Sequence, residues 1–195
     1  MRRKDKLQDM HKAIEIMQNA AYCVLSASPS SVCGFEPDKK AYKENGTLSP
    51  DYQIFSIPVS FVYHQNQVFI HTAKAGRKIS FFNDGSLVCL VFVGHVQVPE
   101  IYNSHEELEQ LAQTDPKKLG SHVFTTGYES TIAYGRIFAL NDKESQDRAM
   151  MLLCQKYTPD KMEFVQMSVD MSRKHLNVYA IELEQISAKA KYFDS

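Results

Sequence analysis

The chain has 195 residues, with 22 Lys and Arg against 23 Asp and Glu, a formal net charge of −1, 44% hydrophobic residues and 23% charged ones. That is enough apolar material for one sizeable core and suits a single domain spanning 1–195. A near-neutral balance gives no bulk field to draw nucleic acid or an anionic membrane, so neither is expected as a partner.

The basic start, Arg2, Arg3, Lys4 and Lys6, is diluted by Asp5 and Asp9 and reads as a solvated helix face. Leu7, Met10, Ile14 and Met17 recur at helical spacing and predict an amphipathic first helix. No apolar signal core follows the opening charges, and the longest strongly apolar run, Leu87 to Gly94, falls short of the ~20 residues a membrane helix needs. A cytoplasmic protein is expected.

Tyr22 to Ser26 reads as the first strand. Pro29 to Gln53 has no periodicity and many Ser, Gly, Asp, Lys and Pro residues, so it is expected as a loop, with a polar insert at 36–53. Ile57, Val59, Phe61 and Tyr63 then alternate with Pro58, Ser60, Val62 and His64, the period of a single strand. Gln65-Asn66-Gln67 is a polar turn, and Val68 to Thr72 a second strand, which makes a hairpin. Gly76 supplies a permissive bend, and Arg77 and Lys78 open a short helix that Asn83-Asp84-Gly85 stops.

Further along, Leu87 to Val98 predicts a long strand with Gly94 as a bulge. Ser104 to Glu107 is a capping-box pattern for a helix to about Gln113, ended by Asp115-Pro116. Ile132 to Leu140 predicts another strand. Asn141 precedes a helix with Met150, Leu153, Cys154 and Tyr157 on one face, stopped by Thr158-Pro159. Val178 to Leu183 is the last strand. The sum is a mainly β chain with peripheral helices (α+β), an antiparallel barrel of about six strands.

Cys23, Cys33, Cys89 and Cys154 are scattered without a CxxC pair, so neither a dithiol motif nor a zinc knuckle is indicated. The histidines show no paired ligand spacing, and no metal is expected. GxGxxG, GxxxxGK, GxSxG and HExxH are all absent.

What the residues do offer is an anion site after a hairpin. A helix start has unpaired amide hydrogens and partial positive charge, Arg77 adds a fork of donors and Lys78 a point charge. Strand backbone beside such a cradle suits a phosphorylated planar cofactor, with a flavin first among them. His71, at the strand end, reads either as a histidine bonded to backbone or as a donor to a substrate atom beside the flavin.

The segments PVSFVYH at 58–64, FIHTAKAGRKISFF at 69–82 and YESTIAYGR at 128–136, followed by an acidic helix ending in KYTP, resemble the flavin-binding relatives of pyridoxamine 5'-phosphate oxidase, in particular the branch of 5-nitroimidazole resistance proteins. The resemblance implies an FMN-binding split β-barrel, FAD being the alternative, in a homodimer with flavin at the subunit interface. It places Val59, Ser60 and Phe61 along the isoalloxazine or ribityl chain, His71 and Thr72 at the flavin edge, and Gly76, Arg77 and Lys78 on the phosphate. Tyr128, Glu129 and Ser130 would close the site from a later segment. Many relatives carry a basic residue where Glu129 stands, and the 36–53 insert is longer than usual. The activity implied is an FMN-dependent oxidoreductase that takes electrons from NAD(P)H or another reductant and reduces a small electron-poor substrate such as a nitro-aromatic, with His71 the candidate catalytic residue. The alternative is a non-catalytic binding protein for flavin or for another phosphorylated or tetrapyrrole ligand.

Overall fold

A computed structural model describes residues 4–28, 54–99 and 104–193. The 36–53 insert and Cys33 lie outside the described residues.

Eight strands occur among the described residues: β1 (Leu7–Gln8), β2 (Cys23–Ala27), β3 (Phe55–Val59), β4 (Phe61–His64), β5 (Gln67–Ala73), β6 (Ser86–Gln97), β7 (Gly127–Ala139) and β8 (Leu176–Lys191). Hydrogen bonding joins seven of them in the order β3-β2-β6-β7-β8-β5-β4, and β1 pairs with β8. The registers that place Cys23 opposite Val59, Phe61 opposite Ile70 and His71 opposite Val178 are antiparallel. The end strands β3 and β4 are separated in the chain by Ser60 alone, so the sheet must curl until its two ends meet at that residue. One expected strand is therefore two. The alternation from Ile57 to Tyr63 is real, but Val59 pairs back to β2 while Phe61 pairs forward to β5, and a residue pattern of period 2 does not reveal a change of partner.

The β4–β5 hairpin turns at Gln65 and Asn66, both at positive φ (50° and 63°), the left-handed pair that a tight two-residue hairpin requires. Asn66 also fastens the turn to β8, its side chain donating to Leu183 O at 3.0 Å and its carbonyl accepting from Leu183 N at 3.2 Å.

The chain divides into two compact units. The first, residues 1–20, 92–131 and 187–195, holds α1 (Met10–Asn19), α2 (His105–Thr114), the short α3 (Pro116–Lys118) and a π-helical turn at Leu119–Val123. Helix α1 starts at Asp9, whose carboxylate accepts from Lys12 N at 2.8 Å, and it buries Ala13, Ile16 and Met17. The expected stripe is thus rotated: Met10 is exposed, and Leu7 belongs to β1 opposite Lys189. Helix α2 has the full capping box, Ser104 and Glu107 each bonding the other's backbone N–H. Gly94 lies in unbroken β6, and its role is clearance. A Cβ there would stand 2.8 Å from Glu129 Oε2.

The second unit, residues 21–91 and 132–186, holds α4 (Lys143–Tyr157) and α5 (Val165–Ser172). The cap of α4 is Asp142, accepting from Ser145 N at 2.8 Å, rather than Asn141. Met150 and Leu153 of α4 pack with Val165 and Val169 of α5 against Phe69, Val178 and Ala180. Helix α5 went unforeseen because only Val165 and Val169 of it are buried, too short an apolar stripe to stand out. Strands β7 and β8 begin earlier or run longer than expected, since sheet pairing extends a strand through polar residues that periodicity treats as its end.

Candidate functional site

Eight of the eleven expected site residues fall in the second unit and three in the first. Gly76 leads the cationic turn with φ at 104°, a conformation that side chains other than hydrogen rarely adopt. The residues after it form a single 3₁₀ turn, Arg77–Ser80, instead of a helix reaching Asn83. The turn is short because Phe81 and Phe82 leave it to join an aromatic wedge. Phe55 stacks on Phe81 with ring centres 5.1 Å apart, Phe82 meets Phe55 edge-on at 6.1 Å, and Phe82 meets Tyr179 edge-on at 5.5 Å. The Arg77 guanidinium lies 5.7 Å from the Phe81 ring centre. Lys78 Nζ donates to Ala75 O at 2.7 Å, which engages one of its three N–H groups. Two adjacent cations thereby stand beside a wedge of packed rings, with Arg77 over one of the rings.

Strand β5 sends its neighbours His71 and Thr72 to opposite faces. Thr72 is buried, and its hydroxyl donates to Ala73 O at 3.2 Å. His71 shares its face with Phe69, Val178 and Ala180, the residues packed on α4 and α5. Its Nδ1 is the buried side-chain nitrogen among the described residues that lacks a hydrogen-bond partner. Burial depresses the imidazole's proton affinity below its ordinary value, so the ring is neutral at pH 7.

At the Val59–Ser60–Phe61 junction the ladder is interrupted, and a helix side chain repairs it. The Tyr157 hydroxyl accepts from Phe61 N at 3.0 Å and offers its proton to Ala21 O at 2.8 Å, with Phe61 O at 3.1 Å. Beside it, Lys156 Nζ lies 3.7 Å from the Phe61 ring centre. Burial lowers the Lys156 amine to about 8 and pushes the nearby Cys23 thiol up to about 12. The sequence reading placed Tyr157 on an apolar helix face and passed over Lys156. The available signal was the pair's position at the end of α4, immediately before Thr158-Pro159, where side chains of the last turn can reach past the helix.

In the first unit, Tyr128, Glu129 and Ser130 are half-buried on β7. Glu129 is fully engaged. Its Oε1 takes Lys12 Nζ at 2.8 Å and the Tyr192 hydroxyl, and its Oε2 takes His95 N at 3.3 Å. Burial pulls its pKa upward, yet the bonds from Lys12, Tyr192 and His95 N outweigh that and hold it below the usual carboxylate range. Lys12 is raised in turn, first by Glu129 and then by Glu15. No cluster of metal-ligating side chains occurs among the described residues.

The family model described as pyridoxamine 5'-phosphate oxidase matches residues 47–190. No curated protein matches the chain. Among solved structures, a Bacteroides thetaiotaomicron protein named for 5-nitroimidazole antibiotic resistance superposes with a TM-score of 0.58 at 16% identity, covering 94% of this chain and 85% of the other. A flavocytochrome from Azotobacter vinelandii gives 0.65 at 13% identity, covering 100% and 75%. An FAD- and heme-binding protein from Mycobacterium smegmatis gives 0.63 at 10% identity, covering 97% and 76%. At these identities the likeness is one of fold, a curled, mostly antiparallel sheet with helices.

Proposed function

The chain belongs to the pyridoxamine 5'-phosphate oxidase family, and from that premise we propose that it is an FMN-binding oxidoreductase, a reductase of a small electron-poor substrate such as a nitro-aromatic. The observation that carries this reading is the buried, unpartnered Nδ1 of His71, on the strand that feeds directly into the Gly76–Arg77–Lys78 turn. A desolvated polar atom left without a partner is costly, and a ligand that bonds to it repays that cost.

The residues present fit a phosphorylated flavin. Arg77 and Lys78 hold the phosphate, with Gly76 allowing close backbone approach. Val59, Ser60 and Phe61 flank the ring system, where Tyr157 fixes the backbone. Bound flavin, FMN or FAD, supplies the electron and hydride exchange, so the protein's part is to bind, orient and exclude water. His71, neutral at pH 7, can donate or accept one hydrogen bond at Nδ1 and hold a proton there for a reduced product. Relatives of similar fold that are named for FAD binding favour a flavin over other phosphorylated ligands.

A homodimer belongs to the same proposal. In the second unit β6 and β7 expose Leu87, Ile132 and Tyr134, large apolar side chains that a second copy would cover while completing the flavin cleft. Within the described residues no helix is long and apolar enough to cross a membrane.

An absorbance spectrum of the purified protein, with the released ligand weighed by mass spectrometry, tests the cofactor. Bands near ~370 and ~450 nm with the mass of FMN or FAD are expected. Reduction by NADH or NADPH followed by substrate-dependent reoxidation supports turnover. A flavin that stays oxidised with every donor leaves a binding protein, and a colourless protein that fails to take up added FMN overturns the reading.

A further inference from the structure

In the first unit a cavity of about 520 Å³ is lined by Lys6, Lys117, Gly120, Ser121, His122, Thr125, Lys191, Tyr192 and Phe193. The volume falls within the range of small-molecule sites and far exceeds what a water or an inorganic ion needs. Three ammonium groups, an imidazole, three hydroxyls and two aromatic rings face it, and none of these lining residues carries a carboxylate.

The surrounding acids do not cancel that charge. Asp5 pairs with Lys6 at 3.7 Å but is itself well exposed, and Asp115 pairs with Lys118, which is not part of the lining. Glu129 touches the wall only through the Tyr192 hydroxyl, and Lys12 neutralises it.

The wall is also built in an unusual way. Leu119–Val123 is a π-helical turn, closed by Phe124 N donating to Leu119 O at 2.7 Å. Such turns are rare and recur at functional sites because they re-aim the residues they contain. Here the turn presents Gly120, Ser121 and His122 to the cavity, and Lys191 of β8 pins it by donating to Ser121 O at 3.1 Å and to Thr125 Oγ1. Ser121 Oγ lies 2.7 Å from His122 Nδ1. With the Ser121 proton given to His122 Nδ1 rather than to Lys117 O at 3.3 Å, the ring's Nε2–H is a donor to a ligand. A Cβ on Gly120 would meet nothing within 4 Å, so a side chain added at this lining position has open space around it.

We propose that this cavity is a second ligand site, separate in its residues from the Gly76–Lys78 turn and independent of the flavin reading, which takes a small phosphorylated molecule carrying a planar ring. Lys6, Lys117 and His122 face the phosphate, and Phe193 and Tyr192 supply the flat apolar surface for the ring.

Calorimetric titration of the full chain with AMP, adenosine and inorganic phosphate tests it. AMP is expected to bind with a dissociation constant of about 1 mM or tighter, and more tightly than either fragment. Lys117→Glu, at an exposed position, should weaken AMP at least tenfold, and Gly120→Met, which adds a long side chain at a lining position, should abolish binding. The Arg77→Ala/Lys78→Ala double variant should leave AMP affinity unchanged. Failure of AMP to bind, affinity untouched by Lys117→Glu, or a loss confined to the Arg77/Lys78 variant would each overturn the proposal. Inorganic phosphate binding as tightly as AMP would overturn the part assigned to the rings. If Gly120→Met does not fold, Lys117→Glu alone decides.

Discussion

Glu129 and His71 make the most instructive pair in the molecule. Both were expected to touch the same cofactor, and both are partly buried polar side chains on strands. The carboxylate of Glu129 is saturated, with Lys12, Tyr192 and His95 N around it and a glycine at position 94 giving it room. The imidazole of His71 has a buried nitrogen with no partner. A polar group whose bonds are all made inside the protein holds the fold together; one left unsatisfied is costly in the free protein and ready for a ligand. The contrast moves Glu129 toward structure and leaves the His71 nitrogen as the group that a ligand would satisfy.

The largest effect that would sharpen this contrast is on affinity. If Arg77 and Lys78 hold the phosphate as proposed, replacing both with alanine would remove two charge-assisted contacts of roughly 1.5–3 kcal/mol each, so FMN affinity should fall about a hundredfold or more with the melting temperature unchanged. Unaltered affinity by flavin-fluorescence titration would place the phosphate elsewhere.

Next comes Tyr157→Phe, which strips the hydroxyl that satisfies Phe61 N where β3 gives way to β4. A loss of about 1–3 kcal/mol is expected in urea unfolding, with weaker flavin retention because the Val59–Phe61 backbone loosens. Wild-type stability would show that water replaces the hydroxyl without cost.

Glu129→Gln keeps the shape but weakens the bonds from Lys12, and a loss of about 1–2 kcal/mol at pH 7 is expected. The sign with pH follows from the lowered pKa. Stability from Glu129 is complete above its unfolded value of about 4.3 and is lost as pH falls through the lower folded value. Thermal melts from pH 7 to pH 3 should therefore decline less steeply in the variant. Equal slopes would break the comparison from the Glu129 side.

The smallest expected effect has the opposite sign. His71→Leu removes an unsatisfied nitrogen, so the ligand-free protein should be unchanged or up to about 1 kcal/mol more stable, while flavin binding or turnover falls. Because burial lowers the folded pKa of His71, the unfolded chain binds more protons as pH drops, and wild-type stability should fall from pH 6.5 downward by an increment that His71→Leu lacks. Clear destabilisation of His71→Leu would show a bonded structural histidine and end its claim to a ligand.

Much of the fold was legible where a local rule acts alone. The Ser104–Glu107 capping box, the Gln65–Asn66 turn and the Thr158 stop of α4 are written in adjacent residues, and each stands within a residue or two of its expected place. The division of Ile57–Tyr63 into two strands was not legible, because strand partners lie elsewhere in the chain. The candidate site divides in the same way. Gly76, Arg77 and Lys78 announce an anion cradle by chemistry alone, whereas the aromatic wedge beside them draws on Phe55, Phe81, Phe82 and Tyr179.

By itself, then, the sequence determined the mainly β character with peripheral helices, the family, and the residue types that can meet a phosphate, since periodicity, caps and motif order are properties of neighbouring residues. Only the tertiary structure decided which polar groups are already satisfied. Glu129 meets Lys12 across more than a hundred residues, Tyr157 reaches the Phe61 backbone from another element, and His71 Nδ1 is left without a partner. Hydrogen-bond satisfaction depends on which distant groups converge and on how much water they exclude, and neither is encoded by any one stretch of chain.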